Sequence, residues 1–167
     1  VTELPVMSVM ASYNEIDGVP SHVNKWLLTD VLRGEWGFKG AVVSDYFAVR
    51  ETVTRHKMFG NIKEAAARAM DAGVDVETPD GEAFNHLPAL VREGRIKEAQ
   101  IDTAVRRVLA MKFQSGVFEN PYVDAKKAAK KIATPDAIAL ARQAARESVV
   151  LLRNAGGLLP LDATGFK

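Results

Sequence analysis

The feature that most constrains this chain is an alternation of short, apolar, β-rich runs with segments that carry helical spacing. The first run lies in the segment Pro5 to Tyr13 and reads Val6-Met7-Ser8-Val9-Met10-Ala11-Ser12-Tyr13. Being nearly continuous, it is expected to form a strand buried on both faces. A polar loop, Glu15 to Pro20, leads to a helix expected over Asn24 to Arg33, with Leu27, Leu28, Val31 and Leu32 on one face. A second buried strand is expected at Gly40 to Asp45, then loop or irregular helix over residues 46 to 60. Asn61-Ile62-Lys63-Glu64 has the pattern of a helix cap, and the Ala-rich helix it opens is expected to stop at Gly73. A third short strand, Val74 to Glu77, ends in the turn signal Thr78-Pro79-Asp80-Gly81. Helices are expected next over Glu82 to Glu93 and Glu98 to Phe113. Strand and helix alternating in this way give an α/β architecture with a parallel sheet and right-handed crossovers.

The pattern changes at Gly116-Val117-Phe118-Glu119-Asn120-Pro121. Residues 116–135 read as a linker, and Thr134-Pro135-Asp136 starts a new helix with an N-cap and a proline at its first position. That helix is expected to run to about Glu147, which makes residues 136–167 the start of a second domain. Within the linker, Lys126, Lys127, Lys130 and Lys131 are interleaved with alanine and lack aromatic neighbours, so they read as a solvated face rather than a nucleic-acid tract.

Composition removes several function classes. Lys plus Arg number 22 against 21 Asp plus Glu, a net charge of +1 that makes no electrostatic case for nucleic acid or an anionic membrane. No apolar run approaches the roughly 20 residues of a membrane span. There is no cysteine, hence no disulfide, thiolate metal site or cysteine nucleophile. The opening Val1-Thr2-Glu3-Leu4-Pro5 has no basic region or initiator methionine, so no signal peptide is read there. The expectation is an internal piece of a longer parent, whose compartment stays open to a periplasmic or secreted location.

In parallel α/β folds, reactive groups gather at the carboxyl ends of the strands. Three polar clusters occupy such ends: Tyr13-Asn14, Ser44-Asp45-Tyr46, and Asp75 with Glu77. Asp45 follows directly on Ala41-Val42-Val43, where a carboxylate can attack or stabilise an electron-poor carbon. By position alone, an Asp that caps the following turn is the commoner reading. Asp75 and Glu77, two apart on a strand, suggest either paired acid–base carboxylates or, preferably, structural hydrogen bonds to loop amides. Met10 and Tyr13 fit core packing as well as a site. His22, His56 and His86 show no metal-binding spacing, and no phosphate-binding loop or nucleophile elbow is present. No metal and no cofactor is expected.

These residues nevertheless form a set. Ser12-Tyr13-Asn14, Gly18-Val19-Pro20, Asn24 with Leu27-Leu28-Thr29, the run Leu32 to Gly40, and Val42-Val43-Ser44-Asp45 resemble the signature region of glycoside hydrolase family 3. The resemblance continues through Ala72 to Glu77, Arg106 to Leu109 with Lys112, Gly116-Val117-Phe118, Ala145 to Asn154 and Leu159-Pro160-Leu161, and so covers essentially the whole chain in order. It implies that residues 1–115 are the last three β/α units of a (β/α)8 TIM-like barrel, followed by the linker and the start of an α/β sandwich domain.

The resemblance also assigns roles. Asp45 falls on the family's catalytic nucleophile, Met10 and Tyr13 on residues beside the sugar, and Tyr46 on a position that is usually tryptophan. Tyr46 keeps an aromatic wall with less stacking area and an added hydroxyl. Thr78 stands where methionine is common. The implied activity is retaining, exo-acting hydrolysis of terminal β-linked sugars, β-glucosidase above all, through a covalent glycosyl-enzyme on Asp45. The acid/base is expected outside this chain, so the chain alone is expected to be inactive. The implied partners are a β-linked oligosaccharide or glycoside and the remainder of the parent chain. The alternatives are a β-xylosidase or β-N-acetylhexosaminidase of the same family, or a catalytically silent carbohydrate-binding remnant.

Overall fold

The computed structural model describes residues 6–162 and 164–165. It divides into two compact units, Val1–Pro121 and Tyr122–Lys167. Pro5 at the head of the first apolar segment and the leader reading of Val1 to Pro5 lie outside the described residues.

In the first unit the two expected strands pair in parallel. Strand β1 (Ser8–Met10) runs beside β4 (Ala41–Val43), with Ser8, Val9 and Met10 opposite Ala41, Val42 and Val43. Gly40 is needed at the mouth of this pair, because a Cβ there would collide with the backbone carbonyl of Met7. Strand β4 is buried as expected at Ala41 and Val42. Strand β1 is not buried on both faces: Ser8 and Met10 are exposed and Val9 is half-buried. Among the described residues β4 is its one neighbour, and a strand with one neighbour keeps part of its surface open.

The third strand shrinks to a single parallel bridge between Val43 and Val76. The cause is local. The Asp75 and Val76 amides both donate to the Val42 carbonyl, at 2.8 and 3.1 Å. The Val42 amide donates to the Asp75 side chain at 2.8 Å instead of to a strand carbonyl. A carboxylate has replaced one rung of the ladder.

Between the strands, the expected polar loop is a hairpin of β2 (Glu15–Ile16) and β3 (Val19–Pro20). Its two-residue turn, Asp17-Gly18, has positive φ at both positions (51° and 76°), as a hairpin turn that matches strand twist requires. A 3-10 turn, Ser21–Val23, follows, then a π helix at Trp26–Glu35 rather than an α helix over Asn24 to Arg33. Its wide winding shows in the bond from the Trp36 amide to the Val31 carbonyl.

Helix α1 (Ala48–Thr54) falls within residues 46–60, where loop or irregular helix is expected. Helix α2 (Ile62–Ala72) matches expectation: the Asn61 side chain accepts the Glu64 amide, and Gly73, at φ 107°, ends it. Its buried Ala65, Ala66 and Ala69 are small enough for close packing in a core with Leu28, Val42, Val49 and Leu90. The expected helix over Glu82 to Glu93 is a 3-10 turn, Phe84–His86, running into α3 (Leu87–Arg92). Helix α4 (Glu98–Gln114) buries only Ala104, leaving Val105 and Leu109 exposed.

In the second unit, α5 (Ala125–Lys131) is capped by the Asp124 side chain, which accepts from the Lys126 and Lys127 amides. Helix α6 (Pro135–Ser148) is capped by Thr134. Beyond it, the Asn154 side chain bridges the amide and carbonyl of Leu159.

Candidate active site

Asp45 lies two residues past the end of β4, where the strand ladder has run out and each peptide needs another partner. Three consecutive peptide groups are each held at both polar atoms. In the first, the Ser44 carbonyl accepts from Thr78 Oγ1 at 2.7 Å and the Asp45 amide donates to His22 Nε2 at 2.9 Å. In the second, the Asp45 carbonyl accepts the Ala48 amide at 3.2 Å, and the Tyr46 amide donates to Asp45 Oδ1 at 2.7 Å. In the third, the Tyr46 carbonyl accepts the Tyr13 hydroxyl at 2.6 Å and the Phe47 amide donates to the Thr78 carbonyl at 3.0 Å. With the planes on both sides fixed, the φ and ψ of Asp45 are fixed as well, and its own Oδ1 bond restricts its side chain.

Phe47 adopts a left-handed conformation at φ 60°, uncommon for a bulky side chain, and its ring lies 4.4 Å from the Arg50 guanidinium carbon. The turn after Asp45 is therefore sharp and held from several elements.

Of the other sequence-derived candidates, Tyr13 is brought to Asp45. Loss of water contact first, and then the nearby Asp45 carboxylate, hold its phenol above the usual value. Tyr46 is 60% exposed beside the same turn. Met10 is in register with Val43 at the end of β1, and its side chain is 63% exposed. Asp75 and Glu77 do not form an acid–base pair. The Asp75 carboxylate is buried against Arg33 at 2.6 Å and Arg107 at 2.8 Å. Glu77 accepts the amides of Ala83 and Phe84 at 3.0 and 2.6 Å. Burial raises the Glu77 pKa and these two amides pull it back.

Two residues to which the sequence assigned no site role are central to the geometry. His22, carried on the 3-10 turn after the hairpin, is 1% exposed. Burial is the main cause that lowers its pKa to about 4, opposed by Asp45 and Glu51 and assisted by His56. Thr78 makes its three bonds to Ser44 and one to Phe47 from just beyond the Val76 bridge. Thr78 had a positional signal, a polar residue at the carboxyl end of a strand. His22 had none, because its partner is a backbone amide 23 residues away. Nearby, His56 Nδ1 meets Glu15 Oε1 at 2.5 Å and ties the end of α1 to the hairpin.

A family model described as the glycosyl hydrolase family 3 N terminal domain matches residues 1–111. A putative beta-xylosidase from Formosa agariphila is 39% identical over 166 residues, 97% of this chain and 21% of that protein. A periplasmic beta-glucosidase from Salmonella typhimurium is 39% identical over 163 residues, 95% of this chain and 21% of its own length. The crystal structure of a beta-glucosidase from Listeria innocua in complex with glucose is 43% identical, with a TM-score of 0.76 over 91% of this chain and 21% of that one. The chain thus spans about a fifth of the length of the relatives it matches.

Proposed function

Because the chain belongs to glycoside hydrolase family 3, we propose that it supplies the nucleophile of a retaining, exo-acting β-glycosidase that removes terminal β-linked sugars. The observation that carries this reading is the placement of Asp45: a half-buried carboxylate past a strand end, on a turn immobilised at every peptide group. Preorganisation of this kind contributes to rate by presenting the attacking oxygen without reorganisation. Asp45 attacks the anomeric carbon through an oxocarbenium-like transition state, giving a glycosyl-enzyme that water cleaves. The proton donor to the leaving oxygen, with its carboxyl about 5 to 5.5 Å from that of Asp45, comes from outside these 167 residues. Tyr13 holds the turn, while Tyr46 and Met10 face the sugar.

In this reading residues 1–115 are the last three β/α units of a (β/α)8 barrel, 116–135 a linker, and 136–167 the start of an α/β sandwich domain. β-Glucosidase is the preferred activity, since the relatives include beta-glucosidases and a glucose complex. The putative beta-xylosidase among them supports β-xylosidase as the second reading.

The test uses the full-length protein with p-nitrophenyl β-glucoside and β-xyloside. Wild type is expected to turn over one or both, with Asp45→Ala at background. A 2-fluoro glycoside is expected to label the peptide that contains Asp45. Equal turnover by the two proteins sinks the nucleophile assignment. The 167 residues alone are expected to give no hydrolysis.

A further inference from the structure

We propose that His22 is a positioning residue for the nucleophile, accepting the Asp45 amide at Nε2 and so setting the peptide plane from which the carboxylate projects. The inference rests on Asp45 being the nucleophile, as proposed above. The Asp45 amide lies beyond the last rung of the ladder, where the Ser44 amide still reaches the Val76 carbonyl but its own does not. An unpaired buried amide would be costly, and an amide free to choose among partners would let the turn rotate.

His22 resolves both problems because it is itself immobile. Its neighbour Ser21 donates from both its amide and its hydroxyl to the Asn14 carbonyl, at 3.0 and 2.8 Å. Asn24, two residues on, ties the chain to the first turn of the π helix by accepting the Leu27 amide at 3.0 Å. The backbone on either side of His22 is therefore tied to the hairpin and to the helix, the ring itself is 1% exposed, and its one bond carries that rigidity to Asp45 across 23 residues of sequence.

Accepting from an amide requires a lone pair on Nε2, which places the ring proton on Nδ1 and excludes the imidazolium. The charged and titratable groups that face the ring are Asp45 and Glu51, which favour protonation, and His56, which opposes it; the Tyr13 ring lies 6.3 Å away. Burial outweighs the two carboxylates and keeps His22 in the accepting form down to a pH of about 4. Below that, the amide loses its acceptor and a cation replaces it beside the nucleophile.

The test compares full-length wild type with His22→Gln, His22→Ala and Asp45→Ala on a p-nitrophenyl β-glycoside, with circular dichroism as the check on folding. Glutamine Oε1 reaches the place of Nε2 and keeps an acceptor that does not titrate. Its kcat is expected within about three-fold of wild type, whereas alanine lowers kcat about 100-fold with little change in KM. An alanine variant within three-fold of wild type, or a folded glutamine variant as slow as alanine, overturns the proposal.

If the alanine variant does not fold, the pH profile of the glutamine variant decides. Below a pH of about 4, log kcat is expected to fall more steeply in wild type than in His22→Gln, which has no imidazole to protonate. Equal slopes overturn the proposal. Wild-type turnover by Asp45→Ala would instead overturn the nucleophile reading on which it rests.

Discussion

Replacing Asp75 by asparagine is expected to loosen the strand that leads to Asp45 far more than the change of one atom suggests. The Asp75 side chain is 2% exposed and takes three donors: Arg33 Nη2, Arg107 Nη1 and the Val42 amide. Arg33 is only 10% exposed, and its second partners are the carbonyls of Gly40 and Gly73. Burial lowers its pKa and Asp75 is the main force that raises it again. Asparagine leaves one carbonyl oxygen for those donors and turns an NH2 toward guanidinium groups. Breaking a buried pair from one side costs about 3–5 kcal/mol. The Arg107 contact, 27% exposed, adds little, so the lower end of that range applies. Hydrogen exchange in the full-length protein, followed in the peptide spanning Ala41 to Asp45, measures the local opening. A loss of about 3 kcal/mol accelerates it about 150-fold. The triple variant Arg33→Met, Asp75→Asn, Arg107→Met removes every charge together while the asparagine Oδ1 still accepts the Val42 amide, and should exchange more slowly than Asp75→Asn alone. Exchange by Asp75→Asn within three-fold of wild type, or a triple variant as labile as the single one, would refute the reasoning.

Three further outcomes are expected. Stability should fall as pH drops from 6.5 towards 4, because the unfolded chain protonates His22 while the folded one, with its pKa near 4, does not. The His22 share of that loss is about 3 kcal/mol, visible as a pH-dependent gap in thermal stability between wild type and His22→Gln that closes near neutrality. Thr78→Val removes the hydroxyl that serves the Ser44 carbonyl and should cost about 1–3 kcal/mol in denaturant unfolding, with slower turnover. An unchanged midpoint would show that another group can serve that carbonyl. Gly40→Ala should separate β1 from β4 at a cost of about 1–3 kcal/mol, read as faster exchange at Val9 and Ala41; unaltered exchange would contradict the close approach to Met7.

The parts legible in the sequence are those set by local rules. Asn61 and Gly73 bracket α2 where an amide-accepting side chain and a left-handed residue allow it. Thr134 and Pro135 open α6 for similar reasons, and the apolar run before Asp45 is a buried strand. The hairpin was equally local, since Asp17-Gly18 is a strong turn pair, but its strands are only two residues long and show no alternation. What local rules do not reach is partner choice. Val74 to Glu77 has the composition of a strand, yet Asp75 spends its side chain on the Val42 amide and the ladder stops at one bridge. The site follows the same division. Asp45 is legible as a polar residue at a strand end, whereas His22 and Thr78 become visible only once the turn is folded against them.

The two ends of β4 are held by opposite means, and the difference suits the nucleophile role proposed for Asp45. At the Ala41–Val42 end, the buried carboxylate of Asp75 is matched to guanidinium groups. At the Asp45 end, the supports are a neutral imidazole, two hydroxyl groups and backbone. Among the described residues no Lys or Arg forms an ion pair with Asp45; its carboxylate accepts from the amide of the next residue. An arginine at that end would fix the turn as firmly, but it would occupy the oxygens that, in the proposed role, reach the anomeric carbon, and would offset their negative charge. Placing most of the hydrogen bonds on the peptide groups around Asp45 fixes its direction and, in the role proposed for it, leaves the second carboxylate oxygen to attack. Introducing a cation at the turn, as in Thr78→Lys, is therefore expected to reduce kcat more than Thr78→Val even where both variants are equally stable to denaturant. A lysine variant as active as the valine one would show that the charge of Asp45 needs no such protection.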